Sequence, residues 1–211
     1  MNRLLGGFLE QAQQRDDIAR MFRSLNNSTS NRELFSEIVN SNDVLELHIA
    51  GLTLSPDLSL YRIDGRRGYG RKSFEIVLLD NDEERVLYYL FVTPSYRVIF
   101  EGRNVMQAFS WRTLLLGNEE IIGHVCNRLF DDCLLNQHRV VVTTINAELE
   151  GTTFWTKRIM SSLKAGHPAY AYDLTTSESF CIQDEYSVMQ EWVPWLWQDK
   201  GKVGGRIALL G

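Results

Sequence analysis

No stretch of this 211-residue chain approaches the roughly 18 consecutive apolar residues of a membrane-spanning helix. Its N-terminal Met1-Asn2-Arg3-Leu4-Leu5-Gly6-Gly7-Phe8-Leu9 turns polar at Glu10, too short and too interrupted for the apolar core of a secretory leader. Cysteine is scarce and odd in number, at three. Cys126 and Cys133 fall two turns apart on one predicted helix, about 10 Å by helical rise, so they cannot bridge without unfolding it. The expectation is of reduced, mostly buried thiols, a cytoplasmic protein and no membrane partner. Positive charge is also in deficit: 22 Lys and Arg against 27 Asp and Glu leave a net charge of −5. That argues against a general polyanion binder while leaving room for a local basic patch.

Catalytic signatures are missing too. The chain has no Gly-x-Ser-x-Gly elbow, no phosphate-binding Gly-x-x-x-x-Gly-Lys-Ser/Thr loop and no His-Glu-x-x-His. No Cys-x-x-Cys pair or His/Cys spacing points to zinc, and Gly65-x-x-Gly-x-Gly opens no predicted helix as a dinucleotide site requires. Neither a metal nor an organic cofactor is expected. With 44% hydrophobic and 23% charged residues, the chain has ample material for a core and no low-complexity disorder.

The most legible stretch is Arg139–Asp173. Val140-Val141-Val142 is a β-branched run suited to a strand buried on both faces. Over Thr153–Ala165 the period changes, with Trp155, Ile159 and Leu163 recurring every fourth residue beside Phe154 and Met160. Lys157, Arg158, Ser161, Ser162 and Lys164 take the other face. Gly166 stands where a left-handed C-terminal residue is wanted, and Pro168 prevents resumption. Ala169–Asp173 then reads as a second strand, parallel to the first through a right-handed crossover. A buried helix in an all-α domain is the alternative.

Upstream, residues 3–23 and a segment carrying Leu34, Phe35, Ile38 and Val39 read as helices. Ser30, three residues before Glu33, has the spacing of a capping box. From Val44 to Arg112 the period is two. Strands are predicted at Leu45–Ile49, Leu58–Ile63, Phe74–Leu79, Val86–Val92 and Tyr96–Phe100, with Pro94-Ser95 turning between the last two. Short connections make them an antiparallel meander with the apolar Val86–Val92 at its centre. Val105–Leu116 is ambiguous between a strand and a packed loop. After Gly117, a helix carries Ile121, Ile122, Val125, Cys126, Leu129, Phe130 and Cys133, with acidic residues in its first turn. Ser179–Ile182 suggests a small strand, Asp184 a cap for a helix through Tyr186, Met189 and Trp192, and Arg206–Leu210 a terminal strand. The fold class expected is α/β (mixed α+β): N-terminal helices (1–43) and a meander (44–116), then an alternating half (117–211). One domain with a mixed sheet is favoured over two lobes meeting near Gly102–Gly117, because no flexible linker separates the halves.

Three regions qualify as sites. Loops beyond the C-terminal ends of the two parallel strands offer Thr144, Asn146, Glu148 and Asp173, a polar set able to hold a small molecule. The plainer reading is that they cap a helix and solvate a loop. The segment Arg62–Lys72 places Arg66, Arg67, Tyr69, Arg71 and Lys72 among glycines, a pattern suited to an acidic protein or nucleic acid or to a solvated hairpin tip. Trp192, Trp195 and Trp197 concentrate three of five tryptophans, as an interface does, or as a plug closing the core does. The leading expectation is a cytoplasmic interaction or regulatory protein that binds a protein partner through the basic loop and the Trp-rich segment. An enzyme acting on a nucleotide or other polar small molecule around Glu148 and Asp173 is the alternative, and nucleic-acid binding through the basic loop the third. Nothing in the sequence sets the oligomeric state.

Overall fold

The computed structural model describes residues 16–66, 72–100, 103–114, 117–143, 151–198 and 205–211. Strands β1 (Val44–Glu46), β2 (Leu58–Asp64), β3 (Phe74–Asp80), β4 (Arg85–Phe100), β5 (Arg103–Arg112), β6 (Arg139–Val142), β7 (Ala169–Asp173), β8 (Ser179–Ile182) and β9 (Arg206–Leu210) hydrogen-bond in the order β1-β2-β3-β4-β5-β6-β9-β7-β8. Helices α1 (16–25), α2 (Ser28–Val39), α3 (Glu119–Arg128) and α4 (Thr152–Lys164) accompany them. The sheet is mixed and mostly antiparallel, the α/β class the sequence implied. By compactness the chain divides into Met1–Tyr96 with Phe109–His124, and Arg97–Ala108 with Val125–Gly211.

The first unit is built on β3 and the first half of β4. Every residue of β3 is buried, and Val86–Val92 are each no more than 2% exposed, as an unbroken apolar run demands. Each Leu, Val or Phe so buried contributes about 1.5–3 kcal/mol. Ile18, Phe22 and Leu25 of α1 and Leu34, Phe35 and Ile38 of α2 add their buried faces, with Phe22 edge-on to Tyr89 at 6.3 Å. Asn27, and not Ser30, caps α2: its Oδ1 accepts from the N–H groups of Thr29 and Ser30. Any of the six consecutive polar residues Asn26–Asn31 can cap, so composition alone misplaces the start. Val39, expected inside, is 53% exposed. The buried Asn31 instead points inward, where its amide donates to the carbonyls of Leu25 and Val86 and accepts from the Val86 N–H at 2.7 Å. It pairs with the backbone at the start of β4 as a neighbouring strand would.

Three further expectations change. The predicted strand at Tyr96–Phe100 is the end of β4, because Pro94-Ser95 lies within extended backbone; proline's fixed φ suits it, at the loss of one ladder donor. The ambiguous Val105–Leu116 segment is strand as far as Arg112, in β5. The predicted strand Leu45–Ile49 reduces to the three residues of β1.

In the second unit, β5 and β6 form the parallel pair, with Val105 opposite Arg139. β6 and β7 run in the same direction, since both are antiparallel to β9, but β9 lies between them. The β-α-β unit is therefore split, because a connection that includes α4 is long enough to step over one strand. Val140–Val142 and Ile207–Leu210 are all 2% exposed or less. Gly166 takes the expected left-handed conformation (φ 82°) after α4. Trp155 and Ile159 are buried on α4 as expected, but so are Arg158 and Ser162, which the sequence placed on its polar face. The Arg158 guanidinium lies over the Phe130 ring at 4.7 Å and donates to Asn127 Oδ1 at 2.8 Å and Cys126 Sγ at 3.3 Å. An aliphatic stem and a flat cation are both compatible with aromatic packing. α3 runs on into a π-helical turn, Leu129–Leu134. The three cysteines are unbridged.

Candidate functional site

The C-terminal segment of the second unit begins where Asp184 caps a short helix, α5 (Glu185–Ser187), by accepting from the Ser187 N–H at 2.7 Å. Two π-helical turns follow, Val188–Trp192 and Pro194–Gln198. The residues that plug the core are Val188 and Leu196, at 0% and 1% exposure. Tyr186 and Met189, on the helix expected to run through Trp192, are 77% and 50% exposed.

The tryptophans are left half-buried. Trp192 and Trp195 meet edge-on at 5.9 Å, and Phe180 of β8 completes a triangle at 5.8 Å from Trp192 and 6.0 Å from Trp195. These separations fit favourable aromatic pairing. Arg206 fixes the far side: its guanidinium stacks on Trp195 at 4.2 Å and donates to the Trp195 carbonyl at 2.8 Å. Phe180 itself is 40% exposed. The result is a partly exposed aromatic cluster, and Tyr186 and Met189 of the same C-terminal segment are exposed too. Trp197 stands outside the triangle, with its indole N–H buried and, among the described residues, without a hydrogen-bond partner. Phe180 was not a sequence candidate, although alternation along Ser179–Ile182 sets it on the same face as the buried Ile182.

Asp173, at the C-terminal end of β7, is buried and engaged in its own turn. Its Oδ1 accepts from the N–H groups of Thr175 (2.8 Å) and Thr176 (3.3 Å), and its Oδ2 lies 3.7 Å from Arg206 Nε. The Thr175 N–H holds its pKa below the ordinary carboxylate range against an opposing effect of burial, with help from Thr176 and Arg206. Thr144, Asn146 and Glu148 lie outside the described residues.

Of the basic segment, Arg67, Tyr69 and Arg71 also lie outside the described residues, and Lys72 is exposed. Arg66 is not a free surface cation. Its guanidinium donates twice to Glu75, which is 1% exposed on β3, and to Glu37 at 2.6 Å, while Tyr89 also donates to Glu75. Burial works against the Arg66 charge, but the hydrogen bond and charge of Glu75 outweigh it and raise its pKa. The signal is a glutamate within the otherwise apolar run Phe74–Leu79, which requires a buried partner.

The first unit also carries a groove of about 830 Å³ that periodicity did not reveal, lined in part by Leu25, Asn26, Arg32, Glu84, Trp111 and Leu114. Trp111 donates to Asn26 Oδ1 at 3.1 Å on its wall, and Leu114 at its rim is 81% exposed. Among the described residues, no three His, Cys, Asp or Glu side chains are grouped to hold a metal ion, and no helix is long and apolar enough to cross a membrane. In comparisons with known proteins, no family model matches the chain, and neither a curated protein nor a solved structure matches it significantly.

Proposed function

We propose that this chain is an interaction or regulatory protein that captures a protein partner on its C-terminal aromatic surface. The observation that carries this reading is the Phe180–Trp192–Trp195 triangle, held from behind by Arg206 and open to solvent at Phe180. Large aromatic side chains, ordered before binding, lose little rotamer freedom on contact and dominate interface energetics. Tyr186 and Met189 extend the apolar surface and Glu191 gives it a polar rim. The basic segment enters the same reading through Arg67, Arg71 and Lys72, since the Arg66 guanidinium is engaged by Glu75 and Glu37.

Site-specific photo-crosslinking tests this directly. A benzophenone side chain at Tyr186 should yield a discrete adduct in cells of the source organism that the same probe at exposed Asn40 does not. The partner so identified, once purified, should bind Phe180→Ser at least ten-fold more weakly than the parent, about 1.4 kcal/mol. No adduct specific to Tyr186, or equal binding by Phe180→Ser, would overturn the reading. Replacing Arg67 and Arg71 with Ala should weaken capture without unfolding; unchanged affinity removes the basic loop from the interface.

A further inference from the structure

The strand beside the aromatic triangle carries a second property. β8 ends the sheet, and among the described residues no strand lies beyond it. Its pairing with β7 fixes which backbone groups remain open. The Asp173 N–H donates to the Glu178 carbonyl at 2.9 Å, and the register sets Ala171 opposite Phe180 and Tyr170 opposite Cys181. Hydrogen-bonded and non-hydrogen-bonded pairs alternate in an antiparallel ladder. Phe180 and Ile182 therefore direct their backbone groups at β7, while Ser179 and Cys181 direct theirs outward. Exposed edges are commonly blunted by a charge, a proline or a bulge. Ser179-Phe180-Cys181-Ile182 has no charge and no proline, and its register with β7 is unbroken.

The charge carried by the sequence on either side of this strand has one sign. From Asp173 to Gln198 the sequence holds five carboxylates (Asp173, Glu178, Asp184, Glu185 and Glu191) and no Lys, Arg or His. Asp173 is buried and Glu185 pairs with Lys164 at 3.0 Å, but Glu178, Asp184 and Glu191 are exposed. Glu178 and Asp184 bracket the strand. A second copy of this chain is a poor occupant, because it brings the same exposed carboxylates to the edge, and with the outward-facing Cys181 of the two copies paired, Glu178 of each faces Asp184 of the other.

We infer that β8 is a docking edge for an extended, cationic segment of a partner protein, which adds to the sheet as a further strand. This rests on the aromatic surface being an interface, and names how the partner enters it. The segment's backbone pairs with the Ser179 and Cys181 N–H and C=O groups. Alternate apolar side chains lie beside Phe180, and Lys or Arg at its ends meet Glu178 and Asp184. Main-chain pairing supplies affinity, and the aromatic and acidic positions supply selectivity.

The discriminating variant is Cys181→Pro. It removes an outward N–H and leaves the pairing with β7 intact, a change an edge strand accommodates. A random heptapeptide library panned on the full-length protein should enrich peptides that alternate apolar with Lys or Arg residues. In solution the best of these should bind the parent at least ten-fold more tightly than they bind Cys181→Pro or Phe180→Ser. A peptide of the same sequence N-methylated at alternate amides should lose at least ten-fold against the unmodified protein, a measurement independent of how the variant folds. Enrichment of acidic or uncharged peptides, or indifference to N-methylation, overturns the inference. Peptides lost with Phe180→Ser but retained with Cys181→Pro overturn strand addition while leaving the aromatic interface standing. Self-association in sedimentation velocity that Cys181→Pro abolishes would assign the edge to a second copy, also overturning the inference.

Discussion

Replacing Arg66 is the sharpest test of how the first unit is held together. Glu75 is 1% exposed and the Arg66 side chain 16%, so their contact is largely screened from water. At an effective dielectric near 20, opposite charges about 4 Å apart attract by about 4 kcal/mol. Much of that offsets the desolvation of the two groups, and the cost of breaking the pair lies in the charge left behind. Removing one partner of a buried pair costs about 3–5 kcal/mol, and the residual exposure of Arg66 favours the lower end. Arg66→Ala should therefore lower unfolding free energy by about 3 kcal/mol. The contact with Glu37, whose side chain is 61% exposed, contributes far less, and Glu37→Ala should cost under about 0.5 kcal/mol. Tyr89→Phe removes a hydrogen bond to a charged acceptor, with an expected loss of about 1.5 kcal/mol. The combined Arg66→Met, Glu75→Leu change deletes both charges and should recover most of the loss, as apolar replacements of buried ion pairs do. Urea unfolding followed by hydrogen exchange on β3 and β4 peptides reads these differences within the first unit. If Arg66→Ala and Glu75→Ala each cost under about 1 kcal/mol and add without coupling, Arg66 is a solvated loop cation and the reasoning fails.

Asn31→Ala strands both backbone groups of Val86 and should cost about 2–4 kcal/mol by chemical denaturation, without loss of helix α2 by circular dichroism. Asp173→Asn keeps an acceptor for the Thr175 N–H but loses the charge. Because the folded pKa of Asp173 is depressed, its contribution should be full above the unfolded value near 3.8 and vanish as pH falls through the lower folded value. At pH 7 the variant should be about 1 kcal/mol less stable, and a gap that persists unchanged to pH 2 would contradict the assignment. Asp131 behaves oppositely. Burial raises its pKa despite the nearby charges of Arg158 and His167, so its ionised form destabilises the fold, and that penalty appears as pH rises through the folded value. Asp131→Asn should be more stable than the parent at pH 7 by under about 1 kcal/mol, with the gain gone below about pH 3.8, as thermal melts across that range would show.

What could be read in advance followed from side chains that decide their own environment. Val86–Val92 fills both faces with apolar groups, so burial was the only outcome. Gly166 before Pro168 marked a helix end because few other residues adopt that backbone. The Trp192–Trp197 cluster was visible as composition, but its geometry depends on Phe180, which comes from a separate strand. A helical wheel counts the Arg158 guanidinium as polar, whereas Phe130 and Asn127 give it a seat in the fold. Arg66 was grouped with its sequence neighbours, although its partner Glu75 lies across the β2–β3 hairpin. The order β6-β9-β7 was invisible for a different reason. Periodicity reports which faces of a strand are covered, not which strand stands at each side.

That order has a consequence for how the chain is made. β9 reaches its place between β6 and β7 only after residues 206–210 emerge from the ribosome. Until then β6 and β7 each present an open hydrogen-bonding edge, and together they form a gap one strand wide. A chain halted or clipped before Arg206 would lose a central plank rather than a frayed tail. Its failure should resemble a core deletion: loss of cooperative unfolding, and insolubility through the two vacant edges.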